Sequence, residues 1–289
     1  MLNLFRWLAR RPLWLLHAIG GVLGWLTFCL SPTYSRRFRE NVKQAGVSAA
    51  AARPAVAQAG RLVMESPFLW MRPAGEPIRP PVEWSGDELV AQAYAQGRGV
   101  VYLTPHLGSF EITAQALAER FAAEFGPLTV LYRPARKPLL RELMDGARER
   151  PGIAAAPASL AGVRLMIRAL RRGEAVGLLP DQVPPDGMGV WAPFFGKPAY
   201  TMTLAARLIQ QTGAVPLLIW GDRLAHGAGF AVRISALNAQ LPEGNDEAAQ
   251  AESARLINQA MERLILERPG QYLWGYNRYK QPRKNAGFD

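Results

Sequence analysis

Two kinds of hydrophobic pattern divide the chain. Leu13 to Leu30 reads LWLLHAIGGVLGWLTFCL, a continuous apolar run interrupted by His17, Thr27 and three glycines. A membrane-spanning helix needs about 20 apolar residues, so the run is marginal in length. It still exceeds the apolar core of a signal peptide, and no small-residue cleavage pattern follows it. Trp14 and Trp25 suit the interfacial belts of a bilayer. The pattern predicts an N-terminal membrane anchor over residues 1–35, spanning or steeply inserted, with a buried helix of the soluble domain as the alternative. Arginines stand on both flanks and leave its orientation open. His17 reads as an interfacial residue and Cys29 as a small buried hydrophobe.

From residue 36 onward the pattern is that of one soluble domain, 36–289. Glu40 to Met71 carries helical spacing, and the four prolines of MRPAGEPIRPPVEW then stop any helix. Short apolar runs bounded by glycine or proline follow, alternating with helical periods. VVYLT (100–104), LTVLY (128–132), AVGLL (175–179), Ala214 to Trp220 and Phe230 to Ile234 read as strands. Ile112 to Phe121, Leu139 to Arg148, Leu160 to Gly173, Thr201 to Gln211 and Asp246 to Leu266 read as helices. The alternation predicts an α/β sandwich with a mainly parallel central sheet. Ligands of such sheets bind beyond the carboxyl ends of the strands. His106, Arg133 and Asp181, each just past a strand end, therefore fall on one rim.

Composition narrows the class. With 289 residues, 27 glycines and 23 prolines, a packed core is attainable. One cysteine and three histidines exclude a disulfide framework and a zinc site of cysteine and histidine ligands, so no metal is expected. The net charge of +11 is concentrated: residues 1–43 hold seven bases and one acid, and 133–150 and 267–289 are also basic. Such patches on a near-neutral body suit an anionic membrane surface or nucleic acid. No reading helix or aromatic platform for nucleic acid is evident, so no nucleic-acid partner is expected.

The strongest chemical signal is Thr104-Pro105-His106-Leu107-Gly108-Ser109-Phe110-Glu111. In continuous helix His106 and Glu111 would face roughly 140° apart and never meet. If the strand ends at Thr104 and Ser109 caps the next helix, a turn brings the imidazole back onto Glu111 in the first helical turn. A carboxylate holding one ring nitrogen leaves the other free to accept a proton. That is the base-and-orienter half of a triad without its nucleophile, suited to deprotonating a substrate hydroxyl directly. A purely structural histidine in a strand-to-helix turn is the alternative.

HLGSFE after the VVYLT strand is the His-x4-Glu form of the His-x4-Asp/Glu motif of the glycerolipid-type acyltransferases. The blocks YRP (132–134), LRRGEAVGLLPDQ (170–182), PFFGKPAYT (193–201) and QYLWGYNRYK (271–280) follow in order. On these motifs the chain resembles the lipid A biosynthesis acyltransferases of the lauroyl/myristoyl type from Gram-negative bacteria, from the N-terminal apolar segment to Lys280. One departure is the VPPDG stretch (183–187) after PDQ, where some members carry a second acidic residue.

The resemblance implies a glycerolipid-acyltransferase type of fold and transfer of a fatty acyl chain to a hydroxyl of a lipid A precursor. Acyl carrier protein is the implied donor partner, with an anionic glycolipid as acceptor and no cofactor. It implies an inner-membrane location with the catalytic domain on the cytoplasmic side. It maps the catalytic dyad onto His106 and Glu111, a further active-site arginine onto Arg148 and an active-site aspartate onto Asp181. Arg148 is the expected oxyanion donor, with backbone N–H groups near Ser109 as second choice, and Asp181 the group that orients Arg148 or its turn. Arg133 and Ser109 are candidate substrate contacts, and Arg164 a candidate contact to the acidic carrier protein. The rival readings are the same chemistry on another acceptor (a glycerolipid, an ornithine lipid or another glycolipid) or a non-catalytic protein that binds anionic membranes.

Overall fold

The computed structural model describes residues 2–132, 150–244 and 246–283. The helix expected over Leu139 to Arg148 lies outside them. Five helices open the chain: α1 (Leu2–Ala9), α2 (Leu13–Leu30), α3 (Pro32–Gln44), α4 (Ala49–Ala52) and α5 (Pro54–Trp70). The expected stop after Met71 is found, with Met71 closing α5 by its amide on the Pro67 carbonyl.

β1 (Glu83–Ser85), α6 (Glu88–Tyr94), β2 (Val100–Leu103), α7 (Phe110–Phe125), β3 (Leu128–Tyr132) and β4 (Ile153–Pro157) come next. The remainder is α8 (Leu160–Arg171), β5 (Ala175–Leu178), β6 (Gly189–Phe194), β7 (Lys197–Met202), α9 (Leu204–Thr212), β8 (Val215–Arg223), β9 (Phe230–Ala236) and α10 (Glu247–Glu267). Seven strands form one sheet in the order β1-β9-β8-β2-β5-β3-β4, and β6 and β7 form a separate hairpin. Every neighbouring pair is parallel except β8 with β9. The α/β class and mainly parallel sheet expected from the alternation are thus present.

Parallel sheets carry a core on both faces, and so does this one. Alternate residues of β2 divide between them: Val101 and Leu103 join the α8, α9 and α10 side, while Val100 and Tyr102 join the α7 side. Two sequence expectations shift. Thr201 lies in β7, because the PFFGKPAYT block is half of a hairpin, and the helix after it starts at Leu204. Cys29 is exposed rather than buried.

α2 and α5 lie against each other through glycines. A methyl group on Gly24 or Gly60 would run into the facing carbonyl of Val56 or Gly20, so only glycine allows the approach. Leu13, Leu16, His17, Gly20, Gly21 and Gly24 form the buried face of α2. Trp14, Ile19, Val22, Leu23, Leu26 and Leu30 form an exposed apolar face. His17 is not interfacial: its Nε2 lies 2.9 Å from Glu65 Oε2 in a buried pair. Arg223, at the end of β8, donates to both oxygens of Glu65 at 2.6 and 2.7 Å.

Candidate active site

β2 ends at Leu103, and the six residues that follow make a turn into α7. Gly108 has φ of +58°, a conformation that L side chains rarely adopt, and a side chain there would also strike the Gly221 carbonyl. The turn is held from behind by its backbone. Gly108 N–H donates to the Gln271 carbonyl at 3.0 Å, Ser109 N–H to the Gly221 carbonyl at 2.8 Å, and Leu273 N–H to the His106 carbonyl at 3.2 Å. Arg223 adds a donor to the Gly108 carbonyl at 3.0 Å, so the pair that holds α5 also braces the turn.

The imidazole of His106 projects from this turn beside Asp181, which follows β5. Asp181 Oδ1 lies 2.7 Å from Nδ1, and Oδ2 accepts from the His106 amide at 2.9 Å and from the Tyr272 hydroxyl at 3.2 Å. Asp181 is 1% exposed. Burial pushes its carboxyl up, but the charge and hydrogen bonds of His106, with the nearby Arg278 guanidinium, outweigh that and leave it lowered. An ionised carboxylate on Nδ1 places the ring proton there, so Nε2 carries the lone pair. The Gln182 amide, 3.0 Å from Nε2, then donates to it.

This corrects the expected pairing. The carboxylate on Nδ1 is Asp181 and not Glu111, because β2 and β5 are adjacent parallel strands whose ends lie side by side. Glu111 stands in the first turn of α7 as expected and accepts from Trp70 Nε1 at 3.2 Å. Both Glu111 and His106 line one cavity of about 520 Å³, within the usual range for small-ligand sites. Its inner walls are apolar: Phe110, Ala114 and Leu117 from α7 face Val130, Leu178 and Ile219 from the sheet.

Other expected site residues separate. Ser109 precedes α7 but makes no side-chain cap; its hydroxyl is buried and has no partner among the described residues. Its amide is committed to Gly221, so it is not free as an oxyanion donor. Arg164 sits exposed on α8, on the sheet face opposite the cavity. Arg133 and Arg148 lie outside the described residues.

Sequence reasoning missed three contributors. Gln182 was visible in the PDQ block, next to the aspartate, but given no role. Tyr272 stood in QYLWGYNRYK. Arg150 closes the end of α5, donating through Nη2 to the carbonyls of Leu69, Trp70 and Arg72 at 2.7, 3.2 and 2.8 Å. It thereby seats Trp70 against Glu111. Burial, and then the neighbouring Arg72 charge, lower the Arg150 guanidinium to about 10.

The sequence model of the bacterial lipid A biosynthesis acyltransferases matches residues 2–281. The lipid A biosynthesis palmitoleoyltransferase of Escherichia coli (strain K12) is 27% identical over 222 residues, 76% of this chain and 68% of its own. The lauroyltransferase of that organism is 27% identical over 229 residues, covering 76% and 69%. Its myristoyltransferase is 26% identical over 203 residues, covering 69% and 59%.

Proposed function

The chain belongs to the bacterial lipid A biosynthesis acyltransferase family, and on that premise we propose that it moves a fatty acyl group from the thioester of acyl carrier protein to a hydroxyl of a lipid A precursor. One observation carries the reading: an imidazole with Nδ1 tied to a buried carboxylate, on a residue that lines a cavity with mostly apolar walls. The polar mouth suits the reacting carbonyl and hydroxyl, and the apolar interior suits a hydrocarbon chain.

In the proposed step His106 Nε2, released from Gln182, takes the proton of the acceptor hydroxyl while its oxygen attacks the thioester carbonyl. Asp181 stabilises the imidazolium through Nδ1, and Glu111 adds a second carboxylate to the same cavity. Collapse of the tetrahedral intermediate breaks the C–S bond, and the imidazolium returns its proton to the leaving sulfur. No covalent enzyme intermediate is needed. Arg148 is assigned as oxyanion donor on the motif alone. The exposed apolar face of α2, beside the arginines of residues 1–43, supports action at an anionic membrane surface, which we place at the cytoplasmic face of the inner membrane.

The test is transfer from acyl carrier protein thioesters to a lipid A precursor, with the product weighed by mass spectrometry. Wild-type protein adds one acyl mass, and His106→Ala, still folded, loses turnover by roughly 10²–10⁴-fold. Near wild-type turnover in His106→Ala removes the base assignment.

A further inference from the structure

Among the described residues three glycines lie within strands: Gly177, Gly189 and Gly221. A side chain on Gly189 or Gly221 would collide with the Thr201 or Ser109 carbonyl. Gly177 has no such reason to be glycine. Its φ is not positive, and a Cβ there would meet Val130 Cγ1 at 3.5 Å and Leu128 Cδ1 at 3.8 Å, ordinary packing distances. Glycine within a strand weakens it and often marks a close approach by a ligand. Gly177 sits in central strand β5, yet it remains partly accessible because it opens onto the cavity.

The sheet register explains what this opening does. Tyr102 on β2 and Val130 on β3 are the direct neighbours of Gly177 on either side. All three line the cavity, and Tyr102 stands four positions before His106 along the chain, inside the strand rather than in the turn beyond it. The missing side chain leaves a slot in the cavity wall between the positions of Tyr102 and Val130, where an added Cβ would touch only Val130 and Leu128. Tyr102, Leu117 and Leu128 line both the main cavity and a separate void of about 10 Å³, and so stand between the two.

Resting on the acyl-transfer reading above, we infer that the Gly177 slot, walled by Tyr102 and Val130, gauges the hydrocarbon chain and sets the longest acyl group the enzyme accepts. The experiment measures kcat/KM for a ladder of saturated acyl carrier protein thioesters that differ by two carbons. Gly177→Ala fills the slot without a clash. It is expected to lower kcat/KM for the longest accepted chain by roughly tenfold or more relative to the shorter ones, the scale of one methylene misfit in an apolar pocket. Val130→Ala widens the slot and should move the preference to longer chains, so the two variants shift the profile in opposite directions. Active variants with unchanged length profiles overturn the gauge and leave the reaction standing. Wild-type protein that transfers no member of the ladder overturns the reaction itself.

Discussion

A carboxylate that is 1% exposed stays ionised only where its partners outweigh the loss of water. Asp181 has three donors and a nearby guanidinium to do this. Its charge fixes the ring proton of His106 on Nδ1 and leaves Nε2 as the acceptor, so on the proposed reaction Asp181→Asn preserves the shape and removes the base. The amide favours the other tautomer, with the proton on Nε2. We expect kcat to fall by about 10²–10⁴-fold with little change in KM, and thermal unfolding to show the fold intact. A KM effect alone moves Asp181 out of the proton path. Both members of the pair were legible as residues beyond strand ends on one rim. Their partnership was not, because they stand 75 positions apart and meet only if β2 and β5 are neighbours. Glu111, five residues from the histidine, was the carboxylate that local spacing favoured. Chain order places β3 and β4 between β2 and β5, and nothing local in the residues reveals that the sheet reorders them.

Where α2 crosses α5, small residues let two backbones touch and a charged cluster ties them. Burial would push the Glu65 carboxyl up, but Arg223 and His17 reverse this and hold it down at about 2, against an ordinary 4.5. The sign follows: as acid is added the unfolded chain binds its proton first, so this contribution is whole above pH 4.5 and drains as pH falls towards 2. Urea unfolding of the wild type and Glu65→Gln across that range should show the wild type ahead at neutral pH and the gap closing with acid. A constant gap contradicts the ionised pairing. The helices themselves were readable from hydrophobic spacing. The docked side of α2 was not, since its residues are apolar all round, and its three glycines read as interruptions rather than as a contact surface. The β6–β7 hairpin is hidden because PFFGKPAYT reads as one motif block rather than as alternating positions.

Across the whole molecule, basic residues gather at the N-terminal segment while one flank of α2 stays apolar and open. Binding to vesicles should therefore strengthen with anionic lipid content and weaken with salt, and Leu23→Glu combined with Leu26→Glu should release the protein. Sedimentation with vesicles reads both effects, and binding indifferent to the double substitution rejects this face as the contact. Composition and charge suggest an anionic surface as the partner, whereas which flank of α2 is left open follows only from the packing of α5. α5 touches α2 along its length and ends at Trp70 on the cavity wall. The N-terminal segment is therefore no leash with a catalytic body swinging at its end. Its grip and the opening above His106 share one rigid strut, so the altitude of that opening over any surface the segment holds is set in the fold. On the proposed function, an acceptor embedded in the same surface would arrive at a constant height, with no slack to be taken up before reaction.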